Sequence, residues 1–277
     1  MLRKEGIRSG EAFWSALRRH GDALLAVLAI GVILALFLAA PGSLLDKADR
    51  AAYAVCHRIA SHSFIIAGRP LPLCARCSGT YLGALAALVV LALRGRGRAS
   101  RLPGRKYGSV LAGFLLLWAF DGLNSYLTLF PGLPYLYEPH NILRLATGSL
   151  VGVAITAFLL PVTNLTLWRS PAAEPAIASW RDLGWLVVGA AAVVVVVDGE
   201  WAPLLYPLAL ISGLMVIVLA GTVNAVVVLL FLHRDGRGTS WRSVAAPILA
   251  GAALAMTELA AVGLGRELLA QRLGLPF

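Results

Sequence analysis

Residues 203–232 read PLLYPLALISGLMVIVLAGTVNAVVVLLFL, thirty positions without a single Lys, Arg, Asp or Glu. About 20 predominantly apolar residues suffice for a helix to cross a bilayer, so this stretch decides the class of fold. It is long enough to tilt, kink or extend beyond the hydrocarbon core. Working outward from it, six further apolar segments approach the same length: 23 to 40, 78 to 93, 107 to 130, 142 to 160, 183 to 198 and 244 to 264. The expected fold is therefore all-α, a polytopic transmembrane helix bundle of about seven spans. Composition agrees, with 59% hydrophobic and 14% charged residues, against roughly 45–50% and about 25% in soluble domains. Mean hydropathy is +0.79, which excludes a soluble enzyme, a coiled coil or a disordered tail as a reading of the whole chain. Residues 1 to 22 carry no small-residue cleavage site after the apolar run, so the first span reads as retained rather than as a signal peptide.

The net charge of +10 would suggest nucleic acid in a soluble protein. Its distribution gives another account. The arm before the first span and the loops after the second, fourth and sixth hold sixteen Lys and Arg residues, whereas the opposite loops hold seven, among them Arg58, Arg69, Arg76 and Arg266. Positively charged loops stay in the cytoplasm, so the N-terminus is expected inside and the C-terminus outside, in a bacterial plasma membrane. The basic balance reports topology, and the partner is the lipid bilayer with no nucleic acid. The expected organisation is a basic arm at 1–22, a four-span region at 23–160 with a loop at 41–77, a linker at 161–182 marked by Pro161, Pro171 and Pro175, and a three-span region at 183–277. Gly79-x-x-x-Gly83 and Gly148-x-x-x-Gly152 suggest close helix contacts, because small residues one turn apart let backbones approach.

All three cysteines fall in or beside the 41 to 77 loop, as Cys56-His57 and Cys74-Ala75-Arg76-Cys77. Two thiols at i and i+3 of a helix start face the same way, and helix-terminal amides favour the thiolate that metals and electrophiles need. The 16 residues between His57 and Cys74 match the interval between ligand pairs in zinc sites. The expected ligands are Cys56, Cys74, Cys77 and one histidine, His57 or His62. Zn2+ suits a thiolate-rich site, with copper and iron compatible by ligand type. A thiol–disulfide redox pair and inert thiols are the competing readings.

The run Cys56-His57-Arg58, Ser63-Phe64, Gly68 and Leu71-Pro72-Leu73-Cys74-Ala75-Arg76-Cys77-Ser78-Gly79-Thr80-Tyr81-Leu82-Gly83 resembles the signature of the predicted membrane proteins catalogued as domain of unknown function 2085. Asp121-Gly122, Asn141, Arg144-Leu145 and Thr147-Gly148 extend the resemblance over roughly residues 50 to 153. In that family an arginine commonly stands where His62 stands here, which favours His57 as the ligand, and Ser78 replaces the usual threonine. The resemblance implies a site and supplies no activity.

Ionisable groups inside spans mark functional positions. Asp121 and Asn124 share a face of the third span, and Asn141 and Arg144 share one at the start of the fourth. By the expected topology all four lie toward the cysteine loop, as do Tyr81 and Glu258. Asp121 and Arg144 are the candidate catalytic pair, base or ligand and anion clamp; the bland alternative is an ion pair that locks two helices. Asn124, Asn141, Tyr81 and Glu258 are the candidate substrate contacts. Asn224 and Thr222 are expected to make interhelical hydrogen bonds. No His-Glu-x-x-His, phosphate-binding Gly-rich loop, Gly-x-Ser-x-Gly or Cys-x-x-Cys-His motif is present. The leading expectation is a metal-dependent enzyme for a membrane-proximal or lipid-linked substrate, with a transporter or channel and a thiol–disulfide redox protein as alternatives.

Overall fold

The computed structural model describes residues 2–130 and 132–273, with side chains described from residue 21 onward. The side chains of the basic arm therefore lie outside the described residues. Eight helices follow one another: α1 (Leu2–Ala39), α2 (Leu44–Tyr53), α3 (Ala75–Leu93), α4 (Arg105–Leu127), α5 (Asn141–Leu167), α6 (Trp180–Asp198), α7 (Leu205–Phe231) and α8 (Trp241–Leu273). All but α2 carry a stretch long and apolar enough to cross a membrane, beginning in α1 at Gly21. Seven spans is the expected number.

The bundle is centred on α3 and α5, which run parallel in close contact. The reason is glycine at the four crossing positions. A Cβ on Gly148 or Gly152 would collide with the carbonyl oxygens of Arg76 and Thr80, and one on Gly79 or Gly83 with those of Leu145 and Ser149. Both expected small-residue pairs thus face each other, and the close approach lets Thr156 donate to Ala84 O at 3.1 Å. Around this pair, α4 and α6 pack on α5 and α3, while α7 and α8 pack together, α8 also holding α1. The helices do not sort by the division expected at 161–182. The linker also starts later: α5 continues through a buried Pro161 to Leu167. Proline removes one backbone donor, yet the turns that follow hold, with Asn164 and Leu167 buried.

One end of the bundle gathers the arginine-rich loops. Strand β1 (Ala99–Arg101) pairs in parallel with β2 (Ala172–Pro175), and Asn164 donates to Gly97 O at 3.0 Å and Ala99 O at 2.9 Å. Arg94 reaches Asp182 at 3.0 Å and Arg96 reaches Glu174 at 2.6 Å. Trp168 stacks edge-on against Trp241 at 4.9 Å and lies under Arg98. Asp22, where the apolar stretch of α1 begins, pairs with Arg234 in the loop after α7.

The opposite end holds the cysteine loop. Here α2 is capped by Ser43 and Asp46, buries Leu45, Ala48 and Ala52, and lays Ala48 against Gly213 of α7. Lys47 donates to the exposed carbonyls at the end of α1. The chain returns through a hairpin, Ile65–Ile66 with Arg69–Pro70, whose turn places Ala67 at φ 50 and Gly68 at φ 77. Asp46 and Asp49 both bond Arg69 at 2.9 Å, tying α2 to that hairpin.

Candidate metal centre

The hairpin delivers Leu71 and Leu73 into the interior, both 2% exposed or less, and α3 then begins with Cys74 as its N-cap residue. Cys77 follows in the first turn, so both thiols face one side. Cys56 arrives from the end of α2. The three sulfurs lie within 4.8 Å of one another, and Cys74 N–H donates to Cys56 Sγ at 3.2 Å. All three are free thiols, Cys56 and Cys74 buried and Cys77 half-buried. Cys56 ionises first, because the thiols of Cys74 and Cys77 hydrogen-bond to it and hold it far below the usual thiol range. The Cys56 bond in turn pushes Cys74 up.

A zinc–thiolate bond of about 2.3 Å puts tetrahedral ligand sulfurs roughly 3.8 Å apart. Mutual distances within 4.8 Å are compatible with that, and the donor set is soft. Among the described residues no His, Asp or Glu joins the three sulfurs within that distance. His57, the expected fourth ligand, is engaged elsewhere: its Nδ1 accepts from Ile59 N–H at 3.1 Å, and its ring meets that of His62 edge-on at 5.3 Å. Burial depresses the basicity of both imidazoles, His62 to about 4. His57 instead lines a cleft of 220 Å³ with Tyr53, Arg58, Ser63 and Leu71.

The Asp121–Arg144 ion pair, the bland alternative, is not formed. Arg76, inside the cysteine motif, takes Asp121: its Nη2 pairs with Oδ2, and it also reaches Asp121 O at 3.2 Å and Ser125 Oγ at 3.1 Å. The sequence shows Arg76 as a loop charge within the cysteine motif and points to no partner for it. Its place in the first turn of α3 was the available signal, because α3 begins beside the end of α4. Tyr137 OH donates to Asp121 Oδ1 at 2.8 Å, so both carboxylate oxygens are engaged. Arg144 bonds Ser125 Oγ at 3.4 Å and Asn141 Oδ1 at 2.8 Å.

The candidate substrate contacts divide. Asn124 accepts from Leu136 N–H and donates to Tyr137 O, both at 2.8 Å, and so pins the loop between α4 and α5. Asn141 donates to Ser61 O at 3.2 Å, joining α5 to the cysteine loop. Tyr81 packs beside Cys77 in the cluster containing all three cysteines, Val216 and Leu259. Glu258 accepts from Asn224 at 2.9 Å across α7 and α8, whereas Thr222 bonds back to its own helix at Val218 O. The last two helices carry a role that sequence reasoning left unread. They cover the cysteines through Val216 and Leu259, and Arg266 of α8 donates to Tyr53 O and, at 2.8 Å, to Cys56 O, its guanidinium lying over the Tyr53 ring.

Residues 56–158, from the first cysteine through most of α5, match the family described as "Predicted membrane protein (DUF2085)". An uncharacterized protein of the archaeon Methanocaldococcus jannaschii is 29% identical over 108 residues, which is 39% of this chain. This chain spans 63% of that relative's length. An uncharacterized protein of Methanothermobacter thermautotrophicus is 29% identical over 115 residues, 41% of this chain and 91% of the relative. Both are archaeal. No solved structure matches this chain.

Proposed function

We propose that this chain is a multi-pass metalloprotein of a prokaryotic plasma membrane, a member of the DUF2085 family in which Cys56, Cys74 and Cys77 hold one zinc ion at the extracytoplasmic end. The carrying observation is the convergence of three thiols from two separate chain segments to within 4.8 Å. The sixteen-to-seven division of basic residues supports the orientation. Were a zinc ion held by these three cysteines alone, a fourth position would remain for water or substrate, as at catalytic rather than structural zinc, which supports a metal-dependent enzyme acting on a membrane-proximal substrate. The metal would supply Lewis acidity. The chain's own residues orient: Asp121, with both oxygens engaged, is a positioning residue for Arg76 and Tyr137 rather than a ligand, and Arg266 fixes the backbone of Cys56.

Cobalt substitution tests this reading. Reduced wild-type protein should take up Co2+ with a thiolate-to-metal charge-transfer band that Cys74→Ser abolishes, and added azide should alter the visible spectrum by entering the fourth position. Failure to take up cobalt would overturn the metal centre. A spectrum indifferent to azide would make it a closed, structural site.

A further inference from the structure

Arg144 is 4% exposed and lies in the first turns of α5, yet among the described residues it has no carboxylate within ion-pair distance. Its hydrogen bonds go to two neutral oxygens, through Nε and Nη1; Nη2 has none. A second guanidinium, that of Arg76, bonds the same Ser125 hydroxyl oxygen. Two cations thus converge on one neutral atom, and the one carboxylate bonded to the pair, Asp121, already serves Arg76 and Tyr137. Taken by themselves, Arg76, Arg144 and Asp121 carry one net positive charge, and the neighbouring groups able to ionise are the cysteine thiols. Burying such a charge is costly unless a counter-ion joins it. Two further features make the place attractive to an anion. The parallel helices α3 and α5 both begin here, with N-cap residues Cys74 and His140 that make no side-chain cap bond, and helix N-termini favour negative charge. Arg76 keeps 16% of its side chain exposed, so the cluster is open on one side.

We propose that Arg144 and Arg76 form a binding site for the phosphate group of a substrate or lipid, with Arg144 as the clamp and Asp121 holding Arg76 in position. A phosphate monoanion neutralises the cluster and offers oxygens in the spacing that a guanidinium fork matches. The site lies one turn into α5 from the cysteine end. It gives the proposed enzyme a substrate class, while its evidence is the arginine pair and not the metal.

The test uses full-length protein in maltoside micelles, with the melting temperature followed against inorganic phosphate and, separately, against phosphatidate, with sodium chloride and diacylglycerol as controls. A dose-dependent rise with phosphatidate alone assigns the site to a lipid-borne phosphate; a rise with both assigns it to phosphate from either source. Arg144→Gln should abolish the rise. Arg144→Lys keeps the charge without the fork and should weaken the apparent Kd about tenfold; it stands in if the glutamine variant does not fold. Equal response of wild type and the folded variant, or no response beyond the controls, overturns the proposal. Zinc content is measured on each sample, so that lost phosphate binding with retained metal, or the converse, shows which of the two sites failed.

Discussion

Both ends of this bundle are built from arginine, aspartate and aromatic side chains, and they use them differently. At the arginine end each buried polar group is closed. Asp182 accepts from Arg94, from Ser179 Oγ and from the Ala178 and Ser179 amides; Asn164 spends both amide donors on backbone carbonyls and its oxygen on Trp168. That is how a loop cluster is fastened. At the cysteine end the same chemistry stops short of closure. Three thiols face one another, and Arg144 is buried against neutral partners. Buried groups with capacity left over are where ligands are to be sought.

The sharpest way to break this comparison is to remove one aspartate from each end. Asp121→Asn leaves the partly buried Arg76 and the buried Arg144 without that carboxylate, and should cost about 3 kcal/mol, the lower end of the range for a fully buried pair. The double variant Arg76→Gln with Asp121→Asn should recover a large part of that, as coupled neighbours do. Denaturation in micelles checks both; an additive double variant would mean that the pair does not act as a unit. The helix crossing next to the site comes second. Gly148→Ala forces a Cβ into the Arg76 carbonyl and should cost about 1–3 kcal/mol, while Gly113→Ala, with nothing within 4 Å, should lose nothing measurable. Asp182→Asn ranks third, at about 1–2 kcal/mol. It weakens a capping box, and its Arg94 partner is 32% exposed, which screens the ion pair. Metal content should be unchanged by this variant and lost in Cys74→Ser with Cys77→Ser.

The smallest effect is that of pH on the cysteine loop. Ser43 and Arg69 hydrogen bonds lower Asp46 to about 2 in the folded protein, beneath the roughly 3.9 of an unfolded aspartate. A depressed folded pKa contributes stability above the unfolded value and loses it as pH falls toward the folded one. Thermal melts should therefore show a slight extra loss between pH 4 and about 2 that Ser43→Ala diminishes; equal slopes in both proteins would contradict the assignment.

Much of this architecture was legible in the sequence because hydropathy alone places spans. The start of α6 at Trp180 rather than 183 and of α3 at Ala75 rather than 78 reflects polar first turns that a hydropathy reading trims. The three cysteines and both glycine pairs were legible because spacing on a helix fixes which side chains share a face. Partner choice was not. Spacing along the chain does not say whether Arg76 or Arg144 meets Asp121; the packing of α3 and α4 against α5 brings Arg76 to it. The continuation of α5 past Pro161 was hidden because proline ordinarily ends helices. The cover of Val216, Leu259 and Arg266 over the cysteines was hidden because nothing in a uniformly apolar helix says which neighbour it meets.

Elemental analysis with thiol counting tests the metal centre most directly. Protein purified under reducing conditions with zinc supplied should contain about one zinc per chain, and its three thiols should resist alkylation until a chelator removes the metal. Zinc-free protein with three freely reactive thiols or a Cys56–Cys74 disulfide, or zinc retained when all three cysteines are serine, would contradict the account.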